Sequence, residues 1–175
     1  EEPAHRRRNA HGDSPMPPMI LLVKALHVLS ATIFFGAGLM SAFWKFRGDQ
    51  SGDPRVVDWA QKQVVLADWV FTVPSGVISP LTGAYLASVY GLPWTTPWVL
   101  ASLGGYLGAM VLWLPAAWIQ IELRKMTNAA LESGGTLPER FHRLNRVWLL
   151  LGVPAFGVSV FIIFAMVAKP TLWGS

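Results

Sequence analysis

One histidine, His27, lies within the first long apolar segment of the chain, three residues after Lys24. Residues three apart share one face of a helix, and this face continues through small residues of the kind that pack against other helices. A neutral imidazole inside the membrane is suited to ligate a haem iron or another metal, or to relay a proton. A single interhelical hydrogen bond is the structural alternative. His27 is therefore a candidate haem ligand, whereas Lys24 is expected to anchor the helix at the membrane interface.

A second feature is a polar stripe with alternating spacings of four and three residues, formed by Asp68, Thr72, Ser75, Ser79 and Thr82. This spacing places the five side chains along one side of a helix, which must face protein or water rather than lipid. The stripe can line an ion or proton path that begins at Asp68, or it can make interhelical hydrogen bonds. In the structural alternative, Asp68 forms a salt bridge at the membrane interface. Its expected partners are Arg124, Arg143 or Arg146.

A third feature is the GxxxG pair formed by Gly104 and Gly108. Small residues at this spacing let two membrane helices approach closely. The pair predicts a helix-packing surface, either within the monomer or with a partner. That partner would be another membrane protein or a second copy of the chain.

The elements that position these residues must be membrane helices, because the composition is that of a membrane protein. The 175 residues are 53% hydrophobic and 14% charged, whereas a soluble domain is about 25% charged. The absence of cysteine excludes disulfides, thiolate zinc sites and a cysteine nucleophile. The sequence also has no phosphate-binding loop, metalloprotease motif or nucleophile elbow. The net charge of +4 is explained by membrane orientation and requires no nucleic-acid partner.

The number of helices follows from the runs without charged residues, which contain 20, 53 and 22 residues at 25–44, 69–121 and 147–168. One span needs about 20 apolar residues, so the longest run contains two helices, separated by the Gly- and Pro-containing segment 91–97. We predict an all-α fold, a four-transmembrane-helix bundle over residues 19–170. Residues 1–18 are expected to form a polar leader or a disordered tail. The four helices are predicted at about 19–44, 64–90, 97–122 and 146–168.

The distribution of basic residues predicts the orientation of the bundle. Two loops contain Lys45, Arg47, Arg55, Lys62, Arg124, Lys125, Arg140, Arg143 and Arg146, whereas the turn between helices 2 and 3 contains none. The positive-inside rule places both loops in the cytoplasm and both termini outside, as expected for an inner-membrane protein. Tryptophans near the helix ends predict aromatic belts, with Trp44, Trp69, Trp118 and Trp148 at the inner interface. A short amphipathic helix is predicted over 56–65.

Five stretches of the sequence are distinctive: 64–69 with Phe71-Thr72, 80–83, 113–115 with 118–120, 151–156, and 166–170. Together they resemble the bacterial integral-membrane family called domain of unknown function 2269, over nearly everything from Met19 to Pro170. The resemblance implies a helical membrane protein and carries no established activity.

Three further segments, 24–27, 141–145 and Lys169-Pro170, have a more distant similarity to the HemJ-type protoporphyrinogen oxidases. Those enzymes are small helical membrane proteins that bind b-type haem. Their first-helix histidine corresponds to His27, whereas their third-helix histidine corresponds to the histidine-free segment 115–118. The similarity implies haem b on His27, with a second ligand from elsewhere, such as another subunit.

Three functions are consistent with these patterns. The first is a haem-binding or redox-linked membrane protein that uses His27. The second is a non-catalytic accessory or assembly subunit of a larger membrane complex, which packs through small-residue faces such as Gly104 and Gly108. The third is a small transporter that uses Asp68. Whether the protein is an enzyme stays open at the level of sequence.

Overall fold

The computed structural model of the protein describes residues 17–134 and 136–170. The helices in these ranges are α1 (Pro18–Gln50), α2 (Pro54–Ala67), α3 (Val73–Val89), α4 (Pro97–Ser133) and α5 (Glu139–Ala168). A π-helical turn, Asp68–Thr72, joins α2 to α3 in one continuous rod. The described ranges contain no strand and four helical segments long and apolar enough to cross a membrane, so the predicted all-α fold is confirmed. The tail predicted at 1–18 lies outside the described residues, apart from Pro17 and Pro18.

Proline and glycine set the ends of the helices. Pro18, Pro54 and Pro97 each occupy the first turn of a helix, where the backbone N–H that proline lacks would have no helical partner. Gly134 ends α4 with a φ of 63°, in the left-handed region that glycine adopts without a steric penalty. The break predicted at 91–97 is the turn between α3 and α4.

The helices are longer than the predicted spans at the end where the basic loops lie. The rod from Pro54 to Val89 has 36 residues, or about 54 Å at 1.5 Å per residue. The hydrocarbon core of a bilayer is about 30 Å thick. The predicted spans counted only apolar residues, whereas charged residues such as Lys45 and Arg47 continue the helix beyond them. The amphipathic helix predicted at 56–65 is part of α2.

The bundle has two ends, which differ in how tightly the helices pack. We call the end with the α1–α2 and α4–α5 connections the basic end, and the end where α1 begins, α5 ends and the α3–α4 turn lies the terminal end. The buried hydrophobic cluster lies toward the basic end, where α2 packs against both α1 and α4. It is formed by Val57, Ala116, Ile119, Leu123, Phe141 and Trp148.

Toward the terminal end the bundle separates into two helix pairs. α1 packs along α3 and α4 along α5, whereas α1 and α5 touch sparsely. Gly76 and Gly83 let α1 approach α3, since a β-carbon on either glycine would lie within 3.2 Å of the Phe34 ring or 3.0 Å of the His27 ring.

One hydrogen bond links α3 to α4 across the two pairs. Pro80 has no N–H to donate to the carbonyl of Gly76 four residues earlier. The Tyr106 hydroxyl on α4 donates to that carbonyl oxygen at 2.8 Å. A polar group that proline leaves unpaired in the helix is thus satisfied by the neighbouring helix.

Candidate functional site

His27 lies on the face of α1 that packs against α3. Its Nδ1 donates to the carbonyl oxygen of Ser79 at 2.9 Å and lies 3.0 Å from Thr82 Oγ1. Since the Thr82 hydroxyl donates to the Ile78 carbonyl at 2.7 Å, it can only accept from the imidazole. A neutral ring therefore carries its proton on Nδ1, which leaves the Nε2 lone pair free for a ligand.

The structure contains the interhelical hydrogen bond that was the structural alternative for His27. The described residues contain no group of three His, Cys, Asp or Glu side chains that could hold a metal ion. His142 is exposed on α5 near the basic end, whereas His27 lies toward the terminal end, so the two do not meet. Haem binding at His27 stays a prediction.

The polar stripe turns inward, but its members have different surroundings. Asp68, Thr72 and Ser75 are buried, whereas Ser79 and Thr82 are half-buried beside His27. The hydroxyls of Ser75 and Thr82 donate to backbone carbonyls of their own helix. Such bonds satisfy a hydroxyl in the membrane without a second helix.

Asp68 does not pair with an arginine, as the salt-bridge hypothesis expected. Arg124, Arg143 and Arg146 are all exposed. The carboxylate instead accepts from the side-chain amide nitrogen of Gln120 on α4, and the Gln120 amide oxygen accepts from Trp148 Nε1 at 2.9 Å. The arginines lie on helical extensions that reach solvent, whereas the π-helical turn holds Asp68 against α4. The hydrogen-bonded chain of Asp68, Gln120 and Trp148 joins the α2–α3 rod to α4 and α5.

Trp148 was expected in the inner aromatic belt, and the structure corrects this. Its side chain is buried in the core cluster and donates to Gln120, whereas Trp69 and Trp118 are exposed as belt residues would be. A tryptophan near a helix end anchors at the interface only if it faces lipid, and the α5 face with Trp148 turns inward. The sequence position alone does not distinguish these two cases.

Lys45 was assigned to a cytoplasmic loop, and this too is corrected. It lies within α1 and is 1% exposed. Its Nζ is 3.4 Å from Asp49 Oδ2, 5.2 Å from the Trp148 ring centroid and 5.8 Å from that of Phe141. The carboxylate and the two ring faces replace water around the ammonium. The spacing of four between Lys45 and Asp49 is a signal of this pair, provided that α1 continues past 44.

The predicted packing pair, Gly104 and Gly108, does not contact another helix of the monomer. Both residues are exposed, and a β-carbon on either would meet no atom within 4 Å among the described residues. The neighbouring Gly105 is the one that packs, since its β-carbon would lie 3.0 Å from Ile162 on α5. The packing surface was predicted either within the monomer or with a partner. The pair is free in the monomer to contact a partner.

A cavity of about 160 Å³ lies between α1, the π-helical turn, α4 and α5. Its walls are largely apolar and include five aromatic rings, those of Phe34, Phe35, Trp113, Trp148 and Phe156. One end is polar and contains Asp68, Gln120, Thr72 and Ser41.

Two buried hydroxyls in this cavity are left without a hydrogen-bond partner among the described residues. They are Ser41 Oγ and Thr72 Oγ1, and both residues are 4% exposed. An unsatisfied buried polar group costs about 1–3 kcal/mol. Outside the cavity, Asp49, Gln61 and Asn145 also have buried side-chain atoms without a partner in the described part of the chain. Asp68 and Thr72 belong to the predicted polar stripe, whereas Ser41 and Gln120 come to them from α1 and α4.

The comparisons with known proteins agree with this architecture. The chain belongs to the family described as predicted integral membrane protein (DUF2269), whose model matches residues 21–170. No curated protein and no solved structure has a significant match to the chain.

Proposed function

We propose that this DUF2269 protein binds a small amphiphilic molecule taken from the bilayer, in the cavity beside Asp68. The observation that carries the proposal is the pair of buried, unpartnered hydroxyls, Ser41 and Thr72, at the polar end of an otherwise apolar cavity. A ligand head group that hydrogen-bonds to them offsets the cost of burying them. Its apolar part would contact the aromatic walls.

The size of the cavity limits the part of the ligand that is enclosed. An engineered apolar protein cavity of about 150 Å³ binds benzene, and the cavity here measures about 160 Å³. The enclosed part is therefore a group of about the size of one six-membered ring. Any longer tail would extend out of the cavity.

The route into the cavity is lateral, from the membrane. Leu149 and Val153 line the cavity and are also exposed on the outside of α5. α1 and α5 are bridged here by the stacked rings of Phe35 and Phe156, whose centroids are 4.7 Å apart. We expect a molecule dissolved in lipid to enter beside this pair.

A neutral, ring-sized probe tests the proposal. Benzyl alcohol is titrated into nanodiscs that contain the full chain, with empty nanodiscs as the blank, and Kd is measured by calorimetry. We expect saturable binding, which Gly152→Leu weakens at least about tenfold because the new side chain fills the cavity that Gly152 lines.

Gly157→Leu is the matched control, since Gly157 lies on the same helix and is exposed. A β-carbon at Gly152 or Gly157 meets no atom within 4 Å among the described residues, so both variants are expected to fold. The proposal is wrong if the wild-type chain shows no saturable binding, or if the two variants bind alike.

His27 supports a second candidate function, b-type haem binding. Its Nδ1 donates to the Ser79 carbonyl, and this arrangement orients many metal-ligating histidines. His27 would hold the haem iron through Nε2, and a second ligand would come from outside the described residues. A bound haem would supply one-electron redox chemistry. The purified protein should then show a Soret band that shifts on reduction and is lost in His27→Ala; no band means no haem.

We also propose that the basic end faces the cytoplasm of a bacterial cell, with both termini outside. The exposed arginines at the basic end support this orientation. The chain has no cysteine, so single cysteines can be introduced at Asp53 and Trp94 and labelled in intact cells. A membrane-impermeant maleimide should label Trp94→Cys alone, and the reverse pattern would invert the orientation.

A further inference from the structure

We propose that the head group recognised in the cavity is an organic cation, a protonated amine, which Asp68 binds. This inference rests on the proposed binding function and adds the chemical class of the ligand. The observations that support it are the missing counter-charge of Asp68, the aromatic walls and the number of free acceptors.

Asp68 has no cationic partner in the protein as far as it is described. In the described ranges, no nitrogen of Lys, Arg or His lies within 4.0 Å of its carboxylate. Its hydrogen-bond partner is the neutral amide of Gln120. A carboxylate within a membrane span is costly, and functional ones generally pair with a cation. A cationic ligand supplies the charge that the bundle does not.

The buried cation of the bundle, Lys45, is held elsewhere. Its ammonium is bound by Asp49 and lies over the rings of Phe141 and Trp148. Among the described residues, no Lys, Arg or His lines the cavity. The cavity is therefore the place in the bundle where a carboxylate meets aromatic rings without a cation.

The walls of the cavity suit a cation as well as an apolar group. The faces of aromatic rings carry partial negative charge and attract ammonium groups, most strongly where water is excluded. Phe34, Phe35 and Trp113 line the same cavity as Asp68. Groups of several aromatic rings are an established means by which proteins bind ammonium ligands.

The polar groups match a primary ammonium in number. An ammonium group has three N–H donors and no acceptor. The cavity offers the Asp68 carboxylate and the two unpartnered hydroxyl oxygens of Ser41 and Thr72. An anionic head group would instead meet the Asp68 carboxylate with no cation to offset the repulsion.

A head-group series on one ring tests the inference. Benzylamine, benzyl alcohol and benzoate are titrated at neutral pH into nanodiscs with the full chain, and the partition into empty nanodiscs is subtracted. We expect benzylamine to bind at least about tenfold more tightly than benzyl alcohol, and benzoate to show no saturable binding.

Asp68→Asn should remove the preference for benzylamine over benzyl alcohol, because asparagine keeps the shape and loses the charge. The matched control is Asp58→Asn, at a buried carboxylate of the same rod that binds Lys62 and Thr127 outside the cavity. This control should keep the preference for the amine.

The failure of the inference and that of the proposed function are distinguishable. If benzyl alcohol binds and Gly152→Leu weakens it, but benzylamine binds no more tightly, the cavity is a binding site and the cation is wrong. The cation is also wrong if Asp68→Asn keeps the preference or if benzoate binds best. If none of the three probes binds saturably, the proposed function itself fails.

Discussion

The two halves of the bundle are held together by different means. Toward the basic end, side chains from α2, α4 and α5 meet in one buried cluster, and Lys45, Asp49 and Asn145 add a polar network at its edge. Toward the terminal end, two helix pairs contact each other at a few points, among them the Phe35–Phe156 stack and the Tyr106 hydrogen bond. The difference indicates that stability is concentrated in one half, which leaves the other half able to admit a ligand.

The largest expected difference between the halves is in the unfolding free energy that is lost when a phenylalanine is replaced by alanine. Phe141 is 2% exposed in the basic-end cluster, so Phe141→Ala should cost about 3–5 kcal/mol of unfolding free energy. Phe35 is half-buried and packs mainly on one ring, so Phe35→Ala should cost about 1 kcal/mol. Reversible unfolding in mixed micelles measures both variants. Equal costs would mean that the two halves are equally well packed.

A smaller effect is expected from the buried ammonium. Lys45→Met keeps the volume of the side chain but removes the charge that binds Asp49. We expect a loss of about 1–3 kcal/mol, because Asp49 stays partly exposed and keeps the 2.7 Å hydrogen bond from Asn145. The double variant Lys45→Met with Asp49→Asn should recover part of this loss in the same assay. No recovery would show that Lys45 acts through its packing against Trp148 and Phe141 rather than through the ion pair.

The hydrogen bond from Tyr106 should contribute less. Tyr106→Phe leaves the Gly76 carbonyl without a donor, and we expect a loss of about 1 kcal/mol. In a Pro80→Ala background the new N–H at position 80 can donate to Gly76, so Tyr106→Phe should there cost close to nothing. Unfolding measurements on the four proteins of this cycle test the coupling. Equal costs in both backgrounds would mean that Pro80 is not the reason for the hydrogen bond.

The smallest effect distinguishes two glycines on neighbouring faces of α4. Gly105→Ala should destabilise the monomer by up to about 1 kcal/mol, because its β-carbon would lie 3.0 Å from Ile162. Gly108→Ala should leave it unchanged within about 0.5 kcal/mol, since it faces open space among the described residues. The stability of the monomer is measured at high detergent-to-protein ratio. A larger effect at Gly108 would show that its face is covered by another chain.

The helices were predictable from the sequence because the membrane imposes a length and a composition on each span. Charge-free runs and the glycine and proline at 91–97 were sufficient to count four helices and to find the turn between α3 and α4. The partners of individual side chains were less predictable, because they depend on which face of each helix turns inward. Gly104 and Gly105 differ by one position, or about 100° around the helix, and only the second packs on α5.

The candidate site was predictable to the extent that it lies on one helix. Asp68 and Thr72 were visible as part of a regular stripe. Ser41 lies on the small-residue face of α1 that continues from His27, and Gln120 carries no local pattern of its own. Both join the site because α1 and α4 bring them there. The burial of Lys45 was not predictable, because lysines near the end of a membrane span are normally solvated. Nothing in its immediate sequence shows that two aromatic rings from α5 will cover it.

The π-helical turn at Asp68–Thr72 shifts the phase of the rod to which it belongs. The Val73 N–H donates to the Asp68 carbonyl five residues back, so α3 does not continue the rotation of α2. Side chains that form one line in a regular helix are thereby divided between two neighbours: Asp68 faces Gln120 on α4, and Thr82 faces His27 on α1. The π-helical turn adds one residue to a single helical turn. As a result, one polar stripe lines the cavity at one level and makes a helix–helix contact at another.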